Sequence, residues 1–165
     1  MKFIENKYIP FGDFGLMNIL GFVFTKRPES EIEDESNCHE GTHTCQQYEL
    51  LTIASIVALI LCNIYASWWY LLAIPFVPFA IYIMGFLAEL CIPPYHNAKE
   101  CFKGETLWEK IKSTPNWLKK VWVDAYRDNC FEREAYMNQN NPIYNSIRPW
   151  CAWVFYVIPK RDRQG

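Results

Sequence analysis

The greatest chemical potential in this 165-residue chain lies in five consecutive positions, 39–43, which read His-Glu-Gly-Thr-His. On a helix, His39 and His43 stand at i and i+4, so their imidazoles leave one face about one turn apart. Two neutral imidazoles placed in this way can bind one Zn²⁺ at about 2.0–2.1 Å each. Glu40 follows the first ligand and is rotated toward the water side of such an ion, where it can take a proton as general base. The pattern predicts metal-assisted attack of water on a carbonyl, with Glu40 returning the proton to the leaving amine. The competing reading is two surface histidines that hold no ion.

A catalytic zinc needs a third protein ligand and an open fourth position. An extended HExxHxxGxxH pattern would supply a third histidine, but Gln46 and Glu49 occupy its glycine and histidine places. His96, in a Pro-Pro loop, is the one other histidine. Further carboxylates lie in Phe131-Glu132-Arg133-Glu134-Ala135-Tyr136.

The motif must be held by a helix. Ser30 and Glu33 have capping-box spacing, Glu31, Asp34 and Glu35 suit the positive end of a helix dipole, and nothing breaks a helix from there to Leu61. That helix enters an uncharged block, Leu50–Ala88. Its length approaches two membrane crossings of about 20 residues each, with a turn at Asn63–Tyr70, where Trp68 and Trp69 suit an interface. The first leg, Leu50–Ile64, is only about 22 Å long as a helix and the second, Trp68–Ala88, about 32 Å. Pro75 and Pro78 should kink the second leg. A shallow hairpin, or a buried or self-associating hairpin in a soluble protein, remains an alternative to a clean double span. Lys2, Lys7, Lys26 and Arg27 precede the block, the other Lys and Arg of the 16 follow it, and the turn has none. The positive-inside rule therefore puts both flanks, both termini and the motif at the cytoplasmic face of the cell membrane.

Around this hairpin, Met1–Thr25 reads as two strands or a hairpin (Phe14–Met17, Ile19–Phe24). Thr106–Lys112, Trp117–Tyr126 and Phe131–Met137 read as helices. Ile147–Ile158 is apolar and aromatic, suited to packing on the domain or lying at the membrane surface, and Lys160, Arg161 and Arg163 suit anionic headgroups. A net charge of −2 gives no bulk basic field for nucleic acid. Seven scattered cysteines without CxxC spacing argue against a disulfide framework, and an apolar stretch broken by Pro10, Gly12, Asp13 and Gly15 is not expected to act as a secretory signal.

The segment 131–136 resembles the second helix of the gluzincin peptidases, in which Glu-x-x-Ala-Asp provides a glutamate ligand. CAAX prenyl proteases and beta-lactam-sensing antirepressor peptidases are membrane examples. The resemblance implies that Glu132 is the third ligand, with Ala135 at the alanine and Tyr136 where an aspartate would support a histidine. Glu134 is the runner-up ligand, and the alternative for both glutamates is a solvated helix surface. Most of the chain is also similar to small HExxH membrane proteins of the Bacteroides type, through Lys7–Phe11, Asn37–Glu40, Gln46, Ala125–Arg127, Phe131–Tyr136 and Arg148–Trp150.

The expected fold is a single domain, 1–165, mainly α with a short N-terminal β-hairpin: a minimal zincin-like core with a two-helix membrane hairpin at about 50–88. The expected activity is zinc-dependent hydrolysis of a peptide or protein substrate at the membrane surface. The alternative is a non-catalytic metal-binding or structural membrane protein. Gln46 is expected to touch substrate, support a ligand or merely meet the interface. Glu49 and Glu89 should mark the boundary with water. Tyr126, Tyr136, Tyr144 and Arg148 are candidate oxyanion donors, whereas Arg127 and Arg133 should pair with carboxylates. Substrate identity and oligomeric state are left open.

Overall fold

A computed structural model describes residues 1–10, 15–91 and 119–157. Within them the chain is mainly helical, with one small sheet at its N-terminal end. The expected hairpin is present as β2 (Leu16–Ile19) and β3 (Phe22–Thr25), paired antiparallel, with β1 (Lys2–Glu5) added parallel to β3. The sheet order is β1-β3-β2, which leaves β2 at an edge. The sequence reading missed β1 and placed the hairpin break at Asn18. The turn instead falls at Leu20 and Gly21, whose φ values are 52° and 83°. Two consecutive positive φ angles give a tight turn that matches strand twist, and glycine suits the second position. Space also restricts Gly21, because a Cβ there would lie 2.9 Å from Tyr48 Oη.

The capping box at Ser30 does not form. Glu29–Glu31 make a 3-10 turn, Ile32 is extended, and the long helix α1 starts at Asp34 and ends at Tyr65. An extended Ile32 interrupts the continuous helix that a Ser30 cap requires. Asp34 and Glu35 still occupy the first turn of α1, where the dipole favours them. Ala66, in the left-handed region at φ 50°, closes the helix.

The second leg breaks at a proline as expected. α2 (Trp69–Ala73) passes through a 3-10 turn, Ile74–Phe76, into α3 (Val77–Cys91). α1 and the combined Trp69–Cys91 segment are long and apolar enough to cross a membrane. Much of their apolar surface faces outward: Ile60 is 52% exposed, Phe76 69% and Met84 68%. An aqueous surface rarely carries so large a contiguous apolar area without a covering phase or partner.

After the hairpin, helix α4 occupies 119–128, α5 runs Cys130–Asn138, α6 Tyr144–Ile147, and a 3-10 turn spans Ala152–Tyr156. The first of these meets the expected Trp117–Tyr126 helix over its described part, and α5 meets Phe131–Met137. Thr106–Lys112, His96 and the basic end at Lys160–Arg163 lie outside the described residues. The aromatic tail packs partly on the domain, with the Phe131 and Trp153 ring centroids 5.0 Å apart, while Trp150 and Phe155 stay exposed. The six described cysteines are free thiols.

Asn129 joins three elements. Its Oδ1 accepts from Phe131 N at the start of α5, its Nδ2 donates to Tyr82 O on α3, and it is wholly buried. Asn129 abuts Gly85, where a Cβ would come within 3.2 Å of its Oδ1. Replacing Asn129 with alanine removes a helix cap and leaves the half-buried Tyr82 carbonyl of α3 without that donor. The expected cost is about 1–2 kcal/mol, seen as a lower apparent Tm in detergent micelles. An unchanged Tm would show that α5 is held elsewhere.

Candidate metal centre

The first half of α1 carries the HExxH residues, and α5 crosses beside it. His39 and His43 share one face, with Nε2 atoms 3.1 Å apart. Glu132 Oε2 lies 3.4 Å from His39 Nε2, and Glu132 Oε1 lies 3.3 Å from His43 Nε2. Two donors bound at 2.0–2.1 Å and separated by a tetrahedral angle stand about 3.3 Å apart. The triangle therefore has the size that a tetrahedral divalent ion requires. Glu132 is 2% exposed, and its Oε2 has no hydrogen-bond partner among the described residues. A buried carboxylate oxygen left in that state calls for a cation. The group His39, His43 and Glu132 thus fits a metal ion.

Neighbouring side chains fix these donors. Gln46 Oε1 lies 2.8 Å from His43 Nδ1, so an Nδ1–H donated to it leaves Nε2 free to bind metal. Gln46 Nε2 donates to Phe131 O and Glu134 Oε2, which ties that orientation to α5. Of the roles expected for Gln46, support of a ligand is the one the geometry shows. Tyr82, from α3, donates to Glu132 Oε1 at 2.7 Å. Burial alone would push the Glu132 carboxyl up, but His43, His39 and Tyr82 hold it well below the usual carboxylate range. Tyr136, at the place of the expected aspartate, presents its ring edge-on to His39 at 4.6 Å. His39 Nδ1 has no partner among the described residues.

Glu134, the runner-up ligand, lies elsewhere and belongs to a second cluster. Arg148 Nε donates to Glu134 Oε1 at 2.8 Å, and Tyr144 donates to the same oxygen at 2.9 Å. Arg148 Nη1 meets Glu49 Oε1 at 2.5 Å. Glu134 and Glu49 are 0% and 5% exposed. The alternative that Glu132 and Glu134 are solvated helix charges is therefore overturned, because both are sealed between α1 and the C-terminal elements. Glu49 likewise does not mark a boundary with water: Arg148 neutralises it in the interior. Arg148 and Tyr144 are engaged here rather than beside the histidines. Burial opposes the Arg148 charge, yet Glu134 and Glu49 raise its pKa; burial and then Glu134 push the Tyr144 phenol up.

Other expectations divide similarly. Tyr126 remains at the site, with its phenol pushed up first by burial and then by Glu132. Arg133 pairs with Glu89 at 3.7 Å and caps the Tyr156 and Asp128 carbonyls. Arg127 sits 5.7 Å over the Tyr136 ring instead of meeting a carboxylate in that contact.

Two cavities meet at the motif. One of about 400 Å³ is bounded by β2, the α1 residues Gln46 and Leu50, and Phe79 and Tyr82 of α3. The other, of about 430 Å³, is bounded by Arg27, the acidic approach to α1, and Tyr136. Glu40, Leu16 and Tyr126 line both. β2 is fixed over Glu40 by Asn18, whose Nδ2 donates to Glu40 O at 2.6 Å and Thr44 Oγ1 at 2.8 Å. Gln47 braces the same strand by donating to Asn18 O and accepting from Leu20 N. Gly41 admits α6: a Cβ would lie 2.5 Å from Asn145 Nδ2, which donates to Cys38 O. The sequence reading missed Asn18, Tyr82, Asn129 and Asn145. Asn18, a poor strand former inside an apolar run, was the one local signal.

No protein-family model matches the chain, and no curated protein or solved structure matches it.

Metal content separates the two glutamates. About one divalent ion per chain is expected in wild type and in Glu134→Ala, and its loss in Glu132→Ala. Glu134→Ala should instead destabilise the fold by about 1–3 kcal/mol, because Arg148 Nε, Tyr144 and Gln46 lose a buried acceptor while Arg148 keeps Glu49. Gln46→Ala should weaken metal affinity about 10–100-fold, read by competition with a chelating dye.

Proposed function

We propose that this protein is an integral membrane zinc peptidase with a minimal zincin-like core, working at the cytoplasmic surface of the cell membrane. The observation that carries this reading is the convergence of two imidazole nitrogens and one carboxylate at tetrahedral spacing beside Glu40. A His₂Glu set favours zinc among divalent ions. Zinc held there supplies a Lewis acid and lowers the pKa of a bound water.

The remaining steps belong to the chain's own residues. Glu40, which lines both cavities, accepts the proton of the attacking water and passes it to the leaving amine. Gln46 holds the His43 tautomer, and Tyr82 holds Glu132. Tyr126 lines both cavities and carries a phenol kept protonated by its surroundings. It is the side chain best suited to donate to the carbonyl oxygen as negative charge develops there.

The membrane reading rests on two segments of sufficient length and apolarity, on their exposed apolar faces, and on the charge asymmetry of the flanks. The site lies on the part of α1 that precedes the uncharged block, and α5 returns beside it after the hairpin. Two crossings leave both ligand-bearing segments on one side of the membrane, as a shared ion demands.

Glu40→Gln is the decisive substitution. The variant should keep its metal and lose peptide hydrolysis by at least about 10²-fold, measured on a fluorogenic peptide library with wild type alongside. Equal activity in both would remove Glu40 from the chemistry and favour a structural metal site. Carbonate washing of membranes should leave the protein in the pellet; release without detergent is incompatible with an integral hairpin.

A further inference from the structure

The two cavities differ in chemistry, and that difference specifies a substrate. The first is walled mainly by apolar side chains, among them Leu50, Pro78 and Phe79, which belong to the same uncharged block as the hairpin. The second is walled at its outer end by Glu31, Glu33 and Glu35, with Arg27 as the opposing charge. These three glutamates line that cavity and are exposed. The cavities share Glu40, Leu16 and Tyr126, so a chain laid through both passes the proposed metal at their junction. Glu132, whose Oε2 is buried without a hydrogen-bond partner among the described residues, lines the apolar side. His39 lines the acidic side.

We infer that the substrate is the cytoplasmic border of a membrane-embedded polypeptide, with apolar residues in the first cavity, Lys or Arg in the second, and the scissile bond between them. This rests on the peptidase reading above. Apolar residues enter the first cavity at the depth of the hairpin, where little water need be displaced. Basic side chains meet the acidic wall of the second. The combination is common at one place in a membrane protein, because cytoplasmic flanks of spanning segments are enriched in Lys and Arg. A soluble peptide offers no apolar half already resident in lipid, and an acidic flank meets repulsion from Glu31, Glu33 and Glu35.

The test separates binding from hydrolysis. Zinc-loaded Glu40→Gln protein is placed in zwitterionic lipid nanodiscs, and binding is read above that of empty discs. Three fluorescent peptides are compared: an apolar segment followed by Lys-Arg residues, the same segment followed by Glu-Asp residues, and the basic flank alone. The first should bind at least tenfold more tightly than either control. Adding Glu31→Lys and Glu33→Lys should abolish or reverse the preference between basic and acidic flanks, with metal content and circular dichroism unchanged. Equal binding of basic and acidic flanks, a preference that survives both substitutions, or no binding above empty discs would overturn the inference. Wild-type turnover of the same peptides tests the other reading separately. Selective binding by Glu40→Gln without wild-type cleavage would sink the peptidase and keep the binding site. Cleavage without selectivity would do the converse.

Discussion

Two carboxylates of α5, those of Glu132 and Glu134, are almost wholly removed from water, and much of the surrounding structure serves to neutralise them. An uncompensated charge in such a place costs several kcal/mol. Glu134 is answered within the protein, by Arg148, Tyr144 and Gln46. Glu132 accepts from the Tyr82 hydroxyl and faces two imidazoles, and its Oε2 has no hydrogen-bond partner among the described residues. The difference gives the two residues their roles. The carboxylate that is satisfied by fixed donors ties the elements together, and the one left short of a donor is the one able to hold a cation.

Gln46 couples the two clusters. It accepts from the His43 side and donates to Glu134, so the orientation of a ligand ring depends on an ion network that extends to Arg148 and Glu49. α1 is the common rail for all of this. Its first half carries the candidate metal ligands His39 and His43, Glu49 ends that half inside the protein, and the apolar half begins with Leu50. The outward apolar faces of α1 and α3 and the exposed glutamates Glu31, Glu33 and Glu35 give the two ends of this structure opposite surface chemistry. Asn18 and Gln47 then fix a short strand over the motif, giving the groove its wall.

Local features were legible where local physics decides. The i,i+4 histidines, the uncharged block, the break at Pro75 and the helix over 130–138 all follow from helix period, composition or backbone restriction. The capping box at Ser30 misled because its spacing says nothing about Ile32, which is extended and ends the 3-10 turn. β1 was missed because its pairing with β3 spans about twenty residues and has no turn signal of its own. Glu49 was misplaced because its cost of burial was reckoned without Arg148, about a hundred positions away.

By itself the sequence determined that His39 and His43 share a helix face with Glu40 beside them, and that this helix runs into a segment without charge. A 3.6-residue period and the absence of ionisable groups suffice for both. It could not determine, from pattern alone, which glutamate joins the histidines. Residues i and i+2 on a helix project about 200° apart, so Glu132 and Glu134 must face different neighbours, and only the docking of α5 against α1 decides which neighbour each receives. Tertiary structure also decided the roles of Tyr82, Gln46 and Arg148. Each depends on a partner some fifty to a hundred residues distant, where no local periodicity reaches.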